Sequence, residues 1–241
     1  MRAVSVILAT TLLLTGAAVG EGVTGVPQIV DGDTVYIGEH KIRLNGIDAP
    51  ETDQVCLDAA GQPSRCGISA KEELERHFGG RQVKCELGDK DRYRRSLGDC
   101  HLGPESMSRW LVRNGWALAF RRYSGEFIAD EDHARERKAG LWAGAFIAPW
   151  DWRHRNGHTI VLGAVAVPHD AQRKLLAPAN LSEPPDSRCV IKANMKRDGE
   201  CIYHVPGGQS YNRLRMDRAK ARRWFCSPAE AEAAGCRRSK L

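Results

Sequence analysis

Ile42-Arg43-Leu44-Asn45-Gly46-Ile47-Asp48-Ala49-Pro50-Glu51 is the stretch on which the fold turns. Lys41 to Ile47 reads as the second arm of a hairpin, with Thr34 to Ile37 as the first arm and Gly38-Glu39 at the turn. Pro50 ends the pattern, because a proline biases the residue before it away from helix. Upstream, Val26 to Val30 reads as a strand and Asp31-Gly32-Asp33 as a turn.

Downstream, the pattern alternates between helix and strand. Ser69 with Glu72 has the capping-box spacing and opens a predicted helix to about Phe78, closed by Gly79-Gly80. Gln82 to Leu87 and Ser96 to Leu102 read as strands around a polar turn, Gly88 to Arg95. Pro104 starts a second predicted helix ending at Gly115, and a third runs from about Phe127 to Ala139. Short strands with interspersed helices suit a mainly β, α+β fold: a small barrel carrying helices, such as a five-stranded OB-fold.

The chemistry-bearing residues crowd into the same stretch. Asp31 and Asp33 flank a tight turn, and Arg43, Asp48 and Glu51 follow within twenty residues. Arg92-Tyr93-Arg94-Arg95 supplies a second arginine source. Carboxylates can hold a hard cation, another carboxylate can deprotonate water, and guanidinium forks match phosphate oxygens. Together they suit hydrolysis of a phosphodiester. Zinc does not suit this site, because no His or Cys accompanies the carboxylates.

Val30-Asp31-Gly32-Asp33-Thr34-Val35, the Ile42 to Glu51 run, Asp89 to Arg95 and Leu111-Val112-Arg113-Asn114-Gly115 together resemble the thermonuclease (staphylococcal nuclease-like) family, in the same order. The agreement covers roughly Val26 to Trp142. The resemblance implies a calcium-dependent endonuclease acting on DNA and/or RNA and leaving 3′-phosphate ends. It implies Asp33 and Asp48 as calcium ligands, Glu51 as the acid that activates water, Arg43 and Arg95 as phosphate-binding catalytic arginines, and Tyr93 as a substrate contact. Phe120-Arg121-Arg122-Tyr123 matches the family poorly, so no base contact is assigned there. The rival class is a non-catalytic OB-fold module that binds nucleic acid or the cell envelope. Loss of a catalytic carboxylate or arginine would favour it, and none is missing.

Arg2, the apolar Val4 to Leu14 and the small residues Ala17 to Gly20 form a signal-peptide pattern over residues 1–20, so a secreted or periplasmic location is expected. Eight cysteines in an exported chain favour disulfides. Local pairing is preferred for Cys56 with Cys66 and for Cys85 with Cys100, and Cys189–Cys226 with Cys201–Cys236 is the first choice for the rest. Cys201-x-x-His204 with Cys226 and Cys236 also has zinc-ligand spacing, which leaves a metal site as the alternative there.

The expected organisation is a nuclease-like domain over 21–150, a linker or packing extension over 151–186, and a small domain over 187–241 that resembles the sunset domain. Ser227 and Glu230 predict a capped helix through Ala234. That last segment carries 13 Lys/Arg against 5 Asp/Glu, while the rest has 23 against 25. The excess suits an anionic surface as partner. A monomer is expected, with no membrane insertion once the leader is removed.

Overall fold

The structure is a computed structural model. It describes residues 21–122, 124–156, 158–163, 169–176, 184, 187–195, 200–216 and 222–240. The expected leader over 1–20 lies outside the described residues.

Alternating apolar residues build a mixed sheet first. In chain order it has β1 (Glu21–Gly25), β2 (Gln28–Ile29), β3 (Thr34–Ile37) and β4 (His40–Leu44); β5 (Ile47–Asp48) leaves it for a separate pairing. The hairpin of β3 and β4 turns at Gly38, whose φ of 58° is left-handed and favours glycine. The strand expected over Val26 to Val30 is shorter than read, and β1 precedes it.

β6 (Cys56–Leu57) and β7 (Pro63–Ser64) bracket the loop closed by the Cys56–Cys66 disulfide. The first helix, α1 (Cys66–Phe78), begins three residues before the expected cap, and Ser69 lies inside it, its N–H donating to the Arg65 carbonyl at 3.0 Å. The early start has two causes. Cys66 is pinned by its disulfide, and Gly67 packs so closely that a Cβ there would sit 1.8 Å from the Glu51 carbonyl oxygen. The helix N-terminus is thereby set against the Glu51 main chain.

β8 (Val83–Lys90) and β9 (Ser96–Leu102) are an antiparallel pair, with Cys85 opposite Cys100 and bonded to it. β4 runs parallel to β9, which curls the sheet into a half-barrel in the order β1-β8-β9-β4-β3-β2. Val35, Ile42 and Leu44 from the sheet meet Leu74 and Phe78 of α1 in the core. Each such burial contributes roughly 1.5–3 kcal/mol. This is the OB-fold of the expected α+β class, with edge strands beyond five.

Glu105–Ser106 forms β10 against β9, so the second helix, α2 (Met107–Arg113), starts later than Pro104 predicts; Ser106 caps it by accepting from the Arg109 N–H. β11 (Leu118–Ala119) pairs with β5, and α3 (Ile128–Glu136) ends short of Ala139. β12 (Ala145–Ile147), α4 (Pro149–Trp152), β13 (Val161–Gly163) and α5 (Ala171–Leu176) follow. β13 pairs with β12, and Leu175 packs with Leu57, Ile147 and Trp152.

The C-terminal module is a four-stranded sheet of β14 (Ile191–Met195), β15 (Cys201–His204), β16 (Arg222–Phe225) and β17 (Cys236–Arg238), with α6 (Pro228–Ala233) against it. Ser227 caps α6 as expected, accepting from the Glu230 N–H. Disulfides join Cys189 to Cys226 and Cys201 to Cys236, so all eight cysteines are paired and the zinc alternative has no thiolates to use. Among the described residues no helix is long and apolar enough to cross a membrane.

Candidate active site

Turn chemistry sets the first carboxylates. The Asp33 N–H donates to the Asp31 side chain at 3.0 Å, closing the Asp31-Gly32-Asp33 turn. Gly32 is needed there, since a Cβ would lie 2.7 Å from the Ala49 Cβ. The Asp33 carboxylate in turn accepts from the Ala49 N–H at 2.8 Å and from the Thr34 hydroxyl at 3.2 Å. The two halves of the motif, joined here across sixteen residues of sequence, are therefore stitched into one site.

Arg43 on β4 lies between the aspartates. Its guanidinium pairs with Asp33 and reaches Asp48 at 2.6 Å, and both carboxylates are almost fully buried. Burial lowers the Arg43 pKa, which the neighbouring Asp48 and Asp31 charges oppose. Burial likewise raises the Asp31 carboxyl, against the pull of Arg43 and Arg95.

Arg95 precedes β9 and is anchored from within its own turn. Asp91 accepts from its Nε at 2.8 Å and from its backbone N–H at 3.0 Å. One terminal nitrogen lies 3.3 Å from the Thr34 hydroxyl, beside Asp33. The guanidinium also lies over the Tyr93 ring, 5.4 Å from its centre. Arg94, in the same turn, takes a φ of 64°, which tightens the loop.

Glu51 is held by two arginines that the sequence reading did not include. Arg153 Nε donates to one oxygen and Arg223 Nη2 to the other, each at 2.5 Å. Burial alone would raise the Glu51 carboxyl; the Arg223 and Arg153 charges and hydrogen bonds overcome it and hold the group well below the usual carboxylate range. Arg153 also forks onto Asp48 at 2.8 and 3.0 Å. Arg153 follows α4, in the Pro149 to Arg155 run where tryptophans alternate with charges. That basic and aromatic density was the available signal. Arg223 had none, because its partner is 172 residues away.

One cleft of about 1700 Å³ gathers Asp33, Arg43, Glu51, Tyr93 and Arg95, together with Arg153 and Arg223. Asp48 reaches the same group through Arg43 and Arg153. This volume exceeds the few hundred to a thousand Å³ of small-molecule pockets. Phe120 and Trp150, ring centres 5.6 Å apart, form part of its wall; Tyr123 lies outside the described residues.

Asp33 and Asp48 are oxygen donors of the kind a hard cation takes, and here both are paired with arginines, Arg43 on each and Arg153 on Asp48. No three His, Cys, Asp or Glu side chains converge on one point among the described residues. A cation here would take Asp33 and Asp48 and complete its shell with main-chain carbonyls and water, as calcium does with its six to eight oxygens.

Comparison with known proteins gives the chain a family. Residues 41–144 match the family described as Staphylococcal nuclease homologue. The chain is similar to the succinoglycan biosynthesis protein ExoI of Rhizobium meliloti, 33% identical over 144 residues, covering 58% of this chain and 75% of that one. An uncharacterized endonuclease of Haemophilus influenzae is 31% identical over 138 residues, covering 54% of this chain and 72% of its own. The staphylococcal-like nuclease CAN1 of Arabidopsis thaliana is 29% identical over 124 residues, 50% of this chain and 35% of that protein. The chain thus spans about a third of that plant relative and most of the bacterial two.

Proposed function

This chain belongs to the staphylococcal nuclease homologue family, and we propose that it is an exported, calcium-dependent endonuclease that hydrolyses phosphodiester bonds of DNA and/or RNA. The observation that carries the reading is the single cleft in which Arg43 bridges Asp33 and Asp48 while Glu51, Tyr93 and Arg95 share its wall.

The chemistry follows from what each group can do. Arg43 and Arg95 bind the non-bridging oxygens of the scissile phosphate; a guanidinium has five N–H donors, so Arg43 can keep its aspartates and still offer hydrogen bonds. Glu51 takes a proton from a water whose oxygen forms the new bond to phosphorus. The bond from phosphorus to the 5′ oxygen breaks, that oxygen takes up a proton from solvent, and a 3′-phosphate end remains. Asp33 and Asp48 would hold calcium, in exchange for part of their pairing with Arg43 and Arg153, and the ion would supply further positive charge against the phosphate. Preorganised charge of this kind typically contributes several kcal/mol at the transition state. Tyr93, beside Arg95, flanks the substrate's phosphate end.

Four disulfides support an oxidising compartment, secreted or periplasmic. Residues 21–150 act as the nuclease domain and 187–241 as an appended basic module.

The test is cleavage of single-stranded DNA by the oxidised mature chain, with calcium and then with excess chelator. Cutting that stops with the chelator supports the proposal. A folded sample that binds DNA under both conditions and never cuts it overturns the enzyme reading in favour of a binding module.

A further inference from the structure

The C-terminal module meets the nuclease domain at the cleft itself. Arg223, on β16, reaches Glu51 and also Asp53, at 3.3 Å from both its Nε and Nη2. Glu230, on α6, hydrogen-bonds the Thr52 hydroxyl. Gly235 approaches Tyr93 so closely that a Cβ there would stand 2.6 Å from the ring. The consecutive residues Glu51-Thr52-Asp53 and the tyrosine of the arginine turn are thus all in contact with the second module. One of those residues is the proposed base.

We infer that Arg223 is a positioning residue of the active site, supplied by the C-terminal module to hold the Glu51 carboxylate toward the attacking water. The inference rests on the nuclease reading for its chemistry and on the geometry for the contact.

Three features favour positioning over mere docking. First, the grip is two-sided: Arg153 holds one oxygen and Arg223 the other, so the carboxylate plane is fixed between two guanidiniums. Second, the grip does not exhaust the group. A carboxylate has about four lone-pair sites, two are used by these bonds, and the Glu51 side chain keeps 17% of its surface open. A water can still be accepted there. Third, Arg223 is itself held. Its guanidinium lies 4.8 Å from the Phe225 ring centre, its strand is paired with β14, and Cys226 just beyond is bonded to Cys189. A rigid second module presents the arginine, and a general base misplaced by about an ångström can cost on the order of a hundredfold in rate.

The same two modules share a contact that offers a control. Arg188 pairs with Glu72 at 2.9 Å, with 66% and 47% of those side chains exposed, and neither residue lines the cleft. Arg188→Ala removes a docking contact without touching the base.

The experiment compares steady-state cleavage of single-stranded DNA in calcium by the full oxidised chain and by Arg223→Ala, Arg223→Lys and Arg188→Ala, with thermal unfolding of each. The expected result is a 10- to 100-fold fall in kcat for Arg223→Ala with KM within about threefold, partial recovery in Arg223→Lys, and wild-type kinetics in Arg188→Ala. Arg223→Ala with wild-type kcat, or with a loss matched by Arg188→Ala, overturns the inference. A thermal double-mutant cycle of Arg223→Ala with Glu51→Gln reads the contact without any activity: non-additivity is expected, and additive losses overturn the grip. Should the wild-type chain cut nothing, the nuclease reading fails, while the cycle still decides whether Arg223 holds Glu51.

Discussion

Arg95 and Arg223 reach the same cleft by opposite routes. Arg95 is fixed by Asp91, four residues earlier, in a turn whose backbone makes the other bonds. Arg223 is fixed by a separate disulfide-bonded sheet and bonds to Glu51 and Asp53 some 170 residues before it. A local anchor survives almost any rearrangement of the rest of the chain. A remote one lasts only as long as two modules stay docked. On the proposed function, the comparison separates a phosphate-binding half built within the barrel from a base-positioning half that depends on the junction.

The sharpest break in the comparison is Glu51→Gln, which removes the proton acceptor and should lower kcat by about 10²–10⁴-fold. Calcium affinity, measured by titration calorimetry, should stay within a few-fold, since Asp33 and Asp48 are untouched; near-normal turnover would sink the assigned role. Next comes Arg95→Ala. Loss of one preorganised charge at the phosphate should lower kcat by about 10²–10³-fold. Melting should change little, because the Asp91 turn retains its backbone bonds. Equal losses of activity and stability would show that the local half is structural.

A third change acts through packing. Gly67→Ala places a methyl 1.8 Å from the Glu51 carbonyl oxygen, so the backbone must move. A loss of about 2–4 kcal/mol in chemical denaturation should come with reduced kcat, because the N-terminus of α1 packs against the main chain of Glu51. Wild-type stability in that variant would contradict the close approach.

The smallest effect is a pH dependence at the junction. Burial pushes the Glu230 carboxyl up to about 7, with Asp31 adding to the rise, while hydrogen bonds from Thr52 and the Cys226 N–H and the Lys71 charge oppose it. A raised carboxyl favours the protonated form when folded. Its stabilising contribution is therefore complete below the unfolded carboxyl's range and is lost as pH rises through about 7. Melting temperature should fall by a few degrees between pH 5 and pH 8, and Glu230→Gln should flatten that slope. Glu51, held low by its arginines, acts in the opposite sense and only in acid. An unchanged slope in Glu230→Gln would remove Glu230 from the junction's energetics.

The barrel was legible because its signals are short-range. The hairpin at Gly38, the strands around the Arg92 to Arg95 turn and the Ser227 cap all depend on neighbours within a few residues. Asp33, Arg43, Asp48, Glu51 and Arg95 could be named from ordered motifs, and the cysteines paired as preferred. Helix starts were less legible. The Ser69 spacing was outcompeted by the Cys66 disulfide and the Gly67 contact, and Pro104 yielded to the β10 pairing. Much of the stretch after Pro149 carries no strong periodicity, yet it contains a helix turn, a paired strand and Arg153.

By itself, the sequence determined the α+β class with its barrel strands and the order of the candidate site residues along the chain, because turns, strand alternation and capping are written in adjacent residues and the motifs are contiguous. Only the tertiary structure decided which charges face each other. Arg153 and Arg223 have no spacing relation to Glu51, and a charge pair in a buried cleft is set by three-dimensional distance and desolvation, which no local pattern encodes.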